Sequence, residues 1–127
     1  MRRPGTALAT FLVAVSLASV ATGEPPIVLP SQLAERLAGD DPPIVLDVRT
    51  DVEWDQGHIP GALHIPLQQI TERRGEVAKD RDVVVHCQVA PRARMAEKAL
   101  IMVGHERVFH LEGGFRAWQE AGLAVEK

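Results

Sequence analysis

The sequence predicts an open α/β fold with a parallel sheet, on three observations: unbroken β-branched runs, helical patterns between them, and a glycine after each helical pattern. Ile44-Val45-Leu46 and Val83-Val84-Val85 are apolar runs bounded by Pro or charged residues, as in strands buried on both faces. Val108 to Leu111 reads as another strand. Ser31 is expected to N-cap a helix with Leu33, Ala34, Leu37 and Ala38 on one face and Gly39 as its stop. From Arg92 to Val103, Ala93, Ala96, Ala99, Leu100 and Val103 recur at helical spacing, with Arg94, Glu97 and Lys98 expected to face elsewhere and Gly104 to follow. Phe115 to Ala121 repeats the design before Gly122. In such sheets chemistry collects at the carboxyl ends of the strands, and Cys87 stands at one.

With 127 residues there is room for one domain. A hydrophobic share of 46% excludes a wholly disordered chain, and a net charge of -3 gives no reason to expect nucleic acid or an anionic membrane as partner. The N-terminus reads separately. Arg2 and Arg3 precede an uncharged apolar run from Ala7 to Ala21, too short for a bilayer span, with Ala21 and Gly23 placed for cleavage after residue 23. A cut after Ala21 and retention as an anchor are the alternatives. The expected organisation is a signal peptide over 1–23, a linker over 24–30 and one domain over 31–127, periplasmic or secreted, with no membrane contact after cleavage. Without Arg2 and Arg3 the remainder carries 12 basic and 17 acidic side chains, a net charge of -5.

Cys87 is the only cysteine, so an internal disulfide, a Cys-x-x-Cys pair and a multi-thiolate zinc site are all excluded. No metal or cofactor is expected. Val83 to Cys87 runs into Gln88-Val89-Ala90-Pro91, and a helix is expected from about Arg92, which sets the thiol in a strand–loop–helix turn. Backbone N–H groups of such a loop and the positive end of the helix favour a thiolate and any anion beside it. Two chemistries use this geometry. A phosphatase loop of the Cys-x5-Arg type would need Arg at position 93, which is Ala93; the Cys-x4-Arg spacing here leaves a smaller cradle, better matched to one extra sulfur atom. Sulfur transfer through a persulfide on Cys87 is therefore preferred to phosphoryl transfer. The bland alternative is a buried, inert cysteine.

Four segments in order resemble the rhodanese (thiosulfate sulfurtransferase) domain family in its single-domain exported form: Leu46-Asp47-Val48-Arg49, Glu53 to Ala62, the Cys87 loop with Arg92, and Leu111 to Trp118. The resemblance spans roughly residues 31–123. It implies a five-stranded parallel sheet flanked by helices, a persulfide-forming Cys87, and a substrate-binding loop of Gln88, Val89, Ala90, Pro91 and Arg92 whose backbone N–H groups surround the sulfur. It also implies that Asp47 and Arg49 sit beside the loop as a supporting ion pair, while His58 is expected to bond within its own turn. His86 should point to the opposite sheet face from Cys87 and is a poor general base. Trp118 and Phe115 read as core. The sequence departs from the family at Ala90, where Gly is common and a positive φ or strain is expected, at Pro91, which has no N–H to give, and at Gln88, which leaves Arg92 as the loop's one cation.

The function implied is an exported sulfurtransferase: a small anionic donor such as thiosulfate, and cyanide, a thiol or a protein sulfur acceptor. A mercaptopyruvate donor fits the loop less well. The rival from another class is a rhodanese-like sulfur-carrier or protein-docking module with weak turnover, to which Ala90 and Pro91 lend support.

Overall fold

The computed structural model describes residues 23–127. The apolar segment read as a signal peptide lies outside the described residues, among which no helix is long and apolar enough to cross a membrane. Five strands form one wholly parallel sheet: β1 (Ile27–Val28), β2 (Ile44–Asp47), β3 (Leu63–His64), β4 (Val83–His86) and β5 (Val108–Leu111), in the order β1-β5-β4-β2-β3. The helices are α1 (Pro30–Leu37), α2 (Asp51–Asp55), α3 (Ile70–Arg73), α4 (Pro91–Met102) and α5 (Gly114–Glu120), with 3-10 turns at Leu67–Gln69 and Arg74–Glu76.

The strand periodicity divides the core into two layers. Leu46, Val83, Val85 and Val108 face one way and pack with Ile70, Ala93, Ala96 and Leu100 of α3 and α4. Val45, Val84 and Leu111 face the other way and meet Leu33, Phe115 and Trp118 of α1 and α5. Trp118 and Phe115 are thus core, as their spacing predicts, and Trp118 Nε1 donates to the Ala124 carbonyl at 2.8 Å.

Several local expectations are corrected. Pro30, not Ser31, opens α1: its preset φ suits the first helical position, and the Leu29 N–H before it is taken by Gln32 Oε1 at 2.9 Å. Gly39 follows that helix without a left-handed φ, whereas Gly104 and Gly122, at φ +100° and +72°, do close α4 and α5 that way. Helix α4 likewise starts one residue early, at Pro91. Glu97 faces inward rather than outward, being 1% exposed, because His110 Nδ1 meets its Oε2 at 2.5 Å and Arg94 Nη1 its Oε1 at 3.2 Å. The segment 24–30, read as a linker, carries the edge strand β1, which pairs with β5 through Ile27 to His110 and Val28 to Leu111. Two residues are too few to show a period, so β1 left no pattern to find.

Candidate active site

Cys87 follows β4 directly, its thiol packed in the layer beneath α4, and the residue is 1% exposed. Alternation sends His86 to the other face, against α5, as expected. Two carbonyls fix the loop that follows. Cys87 O accepts the Phe115 N–H at 2.9 Å and lies 3.0 Å from His86 Nδ1, while Gln88 O accepts the Arg116 N–H at 3.1 Å. A trans peptide holds C=O and N–H on opposite sides, so two carbonyls drawn toward α5 turn the Gln88 and Val89 N–H groups the other way, to the side of the thiol. Among the described residues no backbone acceptor takes the N–H of Gln88, Val89 or Ala90, and the first-turn donors of α4 are free as at any helix start. The result is a set of unspent donors at the positive end of a helix, suited to an anion.

Gly114 explains why α5 can come so close. Its φ is +62°, and a Cβ there would stand 2.7 Å from both Cys87 O and Gln88 O. Only a residue without a side chain admits those two carbonyls to the first turn of α5.

The departures in the loop resolve differently from expectation. Ala90 has φ -157° and ψ -46°, so the loop turns without the left-handed residue expected there. Its carbonyl accepts the Arg94 N–H at 3.1 Å. Pro91 does lack a donor, and its ring sets the first helical position. Arg92 is not the loop's free cation. Its Nη1 and Nη2 grip Glu53 Oε1 and Oε2 at 2.7 and 2.9 Å, a bidentate pair about one-third exposed on each side. Arg92 thereby holds the carboxyl group of Glu53 down to about 2, against the opposing effect of partial burial, with Thr50 helping. The Arg92 guanidinium is raised in turn, first by its bond to Glu53 and more weakly by the charges of Cys87 and Asp47.

Glu53 is a neighbour of the loop that the sequence alone did not single out. Thr50 and Glu53 form a reciprocal cap on α2, with the Glu53 N–H donating to Thr50 Oγ1 at 3.2 Å and the Thr50 N–H to Glu53 Oε1 at 3.0 Å. The Thr-x-x-Glu spacing is the available signal for the cap; nothing local announces that the same carboxylate reaches Arg92, 39 residues on.

The supporting residues lie behind the sheet rather than in the cradle. Asp47 and Arg49, 0% and 2% exposed, pair through Arg49 Nη2 and Asp47 Oδ2 at 2.7 Å; Nη2 also donates to Gly57 O at 2.8 Å, and the guanidinium lies 4.1 Å from the Phe115 ring centre. His58 closes its own turn: Nδ1 lies 3.1 Å from Trp54 O, the ring stacks on Trp54 at 3.5 Å, and its backbone bridges to Glu126. The thiol lines neither of two surface clefts among the described residues. One of about 350 Å³, lined by Arg74, Val77, Lys79, Val103 and His105, lies at the far end of α4.

A family model, the rhodanese-like domain, matches residues 29–121. The chain belongs to that family. This rhodanese-like domain is 41% identical over 93 residues to a sulfurtransferase of Allochromatium vinosum, covering 73% of this chain and 87% of that protein. It is 32% identical over 77 residues to the thiosulfate sulfurtransferase GlpE of Shewanella oneidensis, covering 61% of this chain and 76% of the other. It spans only about half the length of several other relatives. Among solved structures it resembles a rhodanese-related protein of Thermoplasma volcanium, with TM-score 0.72, 27% identity and coverage of 80% and 97%. It also resembles the rhodanese-like domain of Anabaena Alr3790, with TM-score 0.74, 30% identity and coverage of 81% and 80%. The five-stranded parallel sheet flanked by helices is the fold of this group, and sulfur transfer is the activity that its relatives' names carry.

Proposed function

We propose that this rhodanese-like domain is an exported sulfurtransferase in which Cys87 takes a sulfane sulfur from thiosulfate or a similar small anion and passes it to cyanide or a thiol, including a protein thiol. The single observation that carries this reading is the Cys87 loop, whose N–H groups at 88, 89 and 90 are left without backbone acceptors while its carbonyls are bound by α5. In the first step the Cys87 thiolate attacks the outer sulfur of thiosulfate, the sulfur–sulfur bond of the donor breaks, and sulfite leaves with the electron pair. The new Cys87 persulfide keeps one negative charge, which the unspent N–H groups and the α4 N-terminus stabilise. In the second step the acceptor attacks the terminal sulfur, and Cys87 leaves as thiolate with the electron pair of the broken bond. Gln88, Val89, Ala90 and Arg92 would bound the donor, Pro91 would stiffen the helix start, and Asp47, Arg49 and His58 would act only as supports. No cofactor enters either step.

Export rests on Arg2, Arg3 and the apolar run before Glu24. The test of function is the intact mass of the domain after thiosulfate, then after cyanide, with thiocyanate assayed alongside. One sulfur gained by the wild type and removed as thiocyanate, with none gained by Cys87→Ser, is expected; a folded, reduced wild type that gains none would overturn the thiosulfate reading. Export is tested by the mass of the chain recovered from the periplasm of a bacterial host, where loss of residues 1–23 or 1–21 is expected.

A further inference from the structure

We propose that His86 is a positioning residue for the nucleophile: its neutral Nδ1–H tautomer pins the Cys87 carbonyl and so turns the Gln88 N–H to the thiol's side. The ring is wholly buried against α5, 6.2 Å from the Phe115 ring, with Nδ1 3.0 Å from Cys87 O. An oxygen lone pair can only accept, so Nδ1 carries the proton. The other nitrogen agrees. Among the described residues Nε2 has no hydrogen-bond partner, and Asp47 Oδ2, 3.7 Å away, is already bonded by Arg49. Burial holds His86 below its ordinary value against the pull of the Asp47 charge and of the bond to Cys87 O, while Arg49 and His110 push the same way as burial.

The Cys87 carbonyl therefore has two donors from two elements, the His86 ring on β4 and the Phe115 N–H on α5. Two converging donors hold the peptide plane, and with it the Gln88 N–H, more tightly than the Phe115 N–H alone. This role deepens the sulfur-transfer reading and rests on it for its catalytic meaning, but the anion cradle can be probed without sulfur chemistry.

The experiment compares the rate of Cys87 alkylation by anionic iodoacetate with that by neutral iodoacetamide, in wild type, His86→Asn and His86→Gln. Asn and Gln are alike in polarity but differ in reach: the Asn amide can occupy the place of Nδ1, whereas the Gln amide extends toward Nε2 and Asp47. The iodoacetate preference is expected to survive in His86→Asn and to drop about fivefold in His86→Gln, the scale of one lost hydrogen bond. Equal ratios in the two variants would overturn the role, as would a wild-type ratio no higher than that of free cysteine. Nitrogen-15 spectra of the wild type give a second reading that needs no variant. A proton on Nδ1 alone at neutral pH is expected, and one on Nε2 would sink the proposal. Failure of thiosulfate loading with the alkylation pattern intact would count against the donor and leave His86 in its role.

Discussion

The two faces of the sheet beneath Cys87 are built on opposite principles. On the α5 face almost every polar group is spent: Asp47 on Arg49, Arg49 also on Gly57 O, and the Cys87 and Gln88 carbonyls on the first turn of α5. On the α4 face the loop donors are left over. Each loop peptide has a fixed opposite end, so saturating one face is what leaves the other unsaturated. Substitutions behind the sheet should accordingly lower stability first, and substitutions around the cradle should lower rate first.

The largest effect should come from breaking the buried pair. Asp47→Ala strands Arg49 in the interior and is expected to cost about 3–5 kcal/mol in denaturant unfolding, enough to leave a domain of this size marginal. A cost under about 1 kcal/mol would show that the α5 face does not carry stability as described. Gly114→Ala comes next, since it tests both faces together. The positive φ alone costs Ala about 1–2 kcal/mol, and the Cβ contact at 2.7 Å must displace the two loop carbonyls, so thiosulfate loading should fall more than stability does. Arg92→Ala should slow loading with little change in melting temperature, and Glu53→Gln, which releases Arg92 as a cation, should lower KM for an anionic donor. Steady-state kinetics on the pair would separate the two; parallel losses in both variants would instead make Arg92 a purely structural clamp.

The smallest effect is in pH dependence. His86 is held below its ordinary 6.5 by burial, so its contribution to stability is full above that value and declines as the pH falls and the unfolded chain takes up the proton first. Glu53, lowered from 4.5 to about 2, contributes above 4.5, and that contribution is lost as the pH falls toward 2. Urea midpoints should therefore fall first below neutrality and again in acid. His86→Asn should flatten the first decline and Glu53→Gln the second; an unchanged slope below neutrality in His86→Asn would remove His86 as its source.

Much of the fold was legible because its signals are local. Val83-Val84-Val85 and Ile44-Val45-Leu46 each show unbroken apolarity, and the α4 spacing announces its buried face. The strand–loop–helix turn at Cys87 was legible for the same reason, being one contiguous stretch. What escaped was non-local. Glu53 clamps Arg92 across 39 residues, and Glu97 turns inward only because His110 comes to meet it from β5. Gly114 belongs to the same class, since its service to the Cys87 loop depends on where α5 docks.

The first strand of the sheet, β1, joins the last, β5, with Ile27 opposite His110 and with the N–H groups of His110 and Glu112 donating to Pro26 and Val28 carbonyls at 2.9 Å. The central strands β2, β4 and β5 can register among themselves without it, but that edge cannot close until β5 is available and a loop of some eighty residues has been drawn together. The sheet is thus completed from its middle outward. A chain emerging N-terminus first carries β1 unpaired until β5 has followed it.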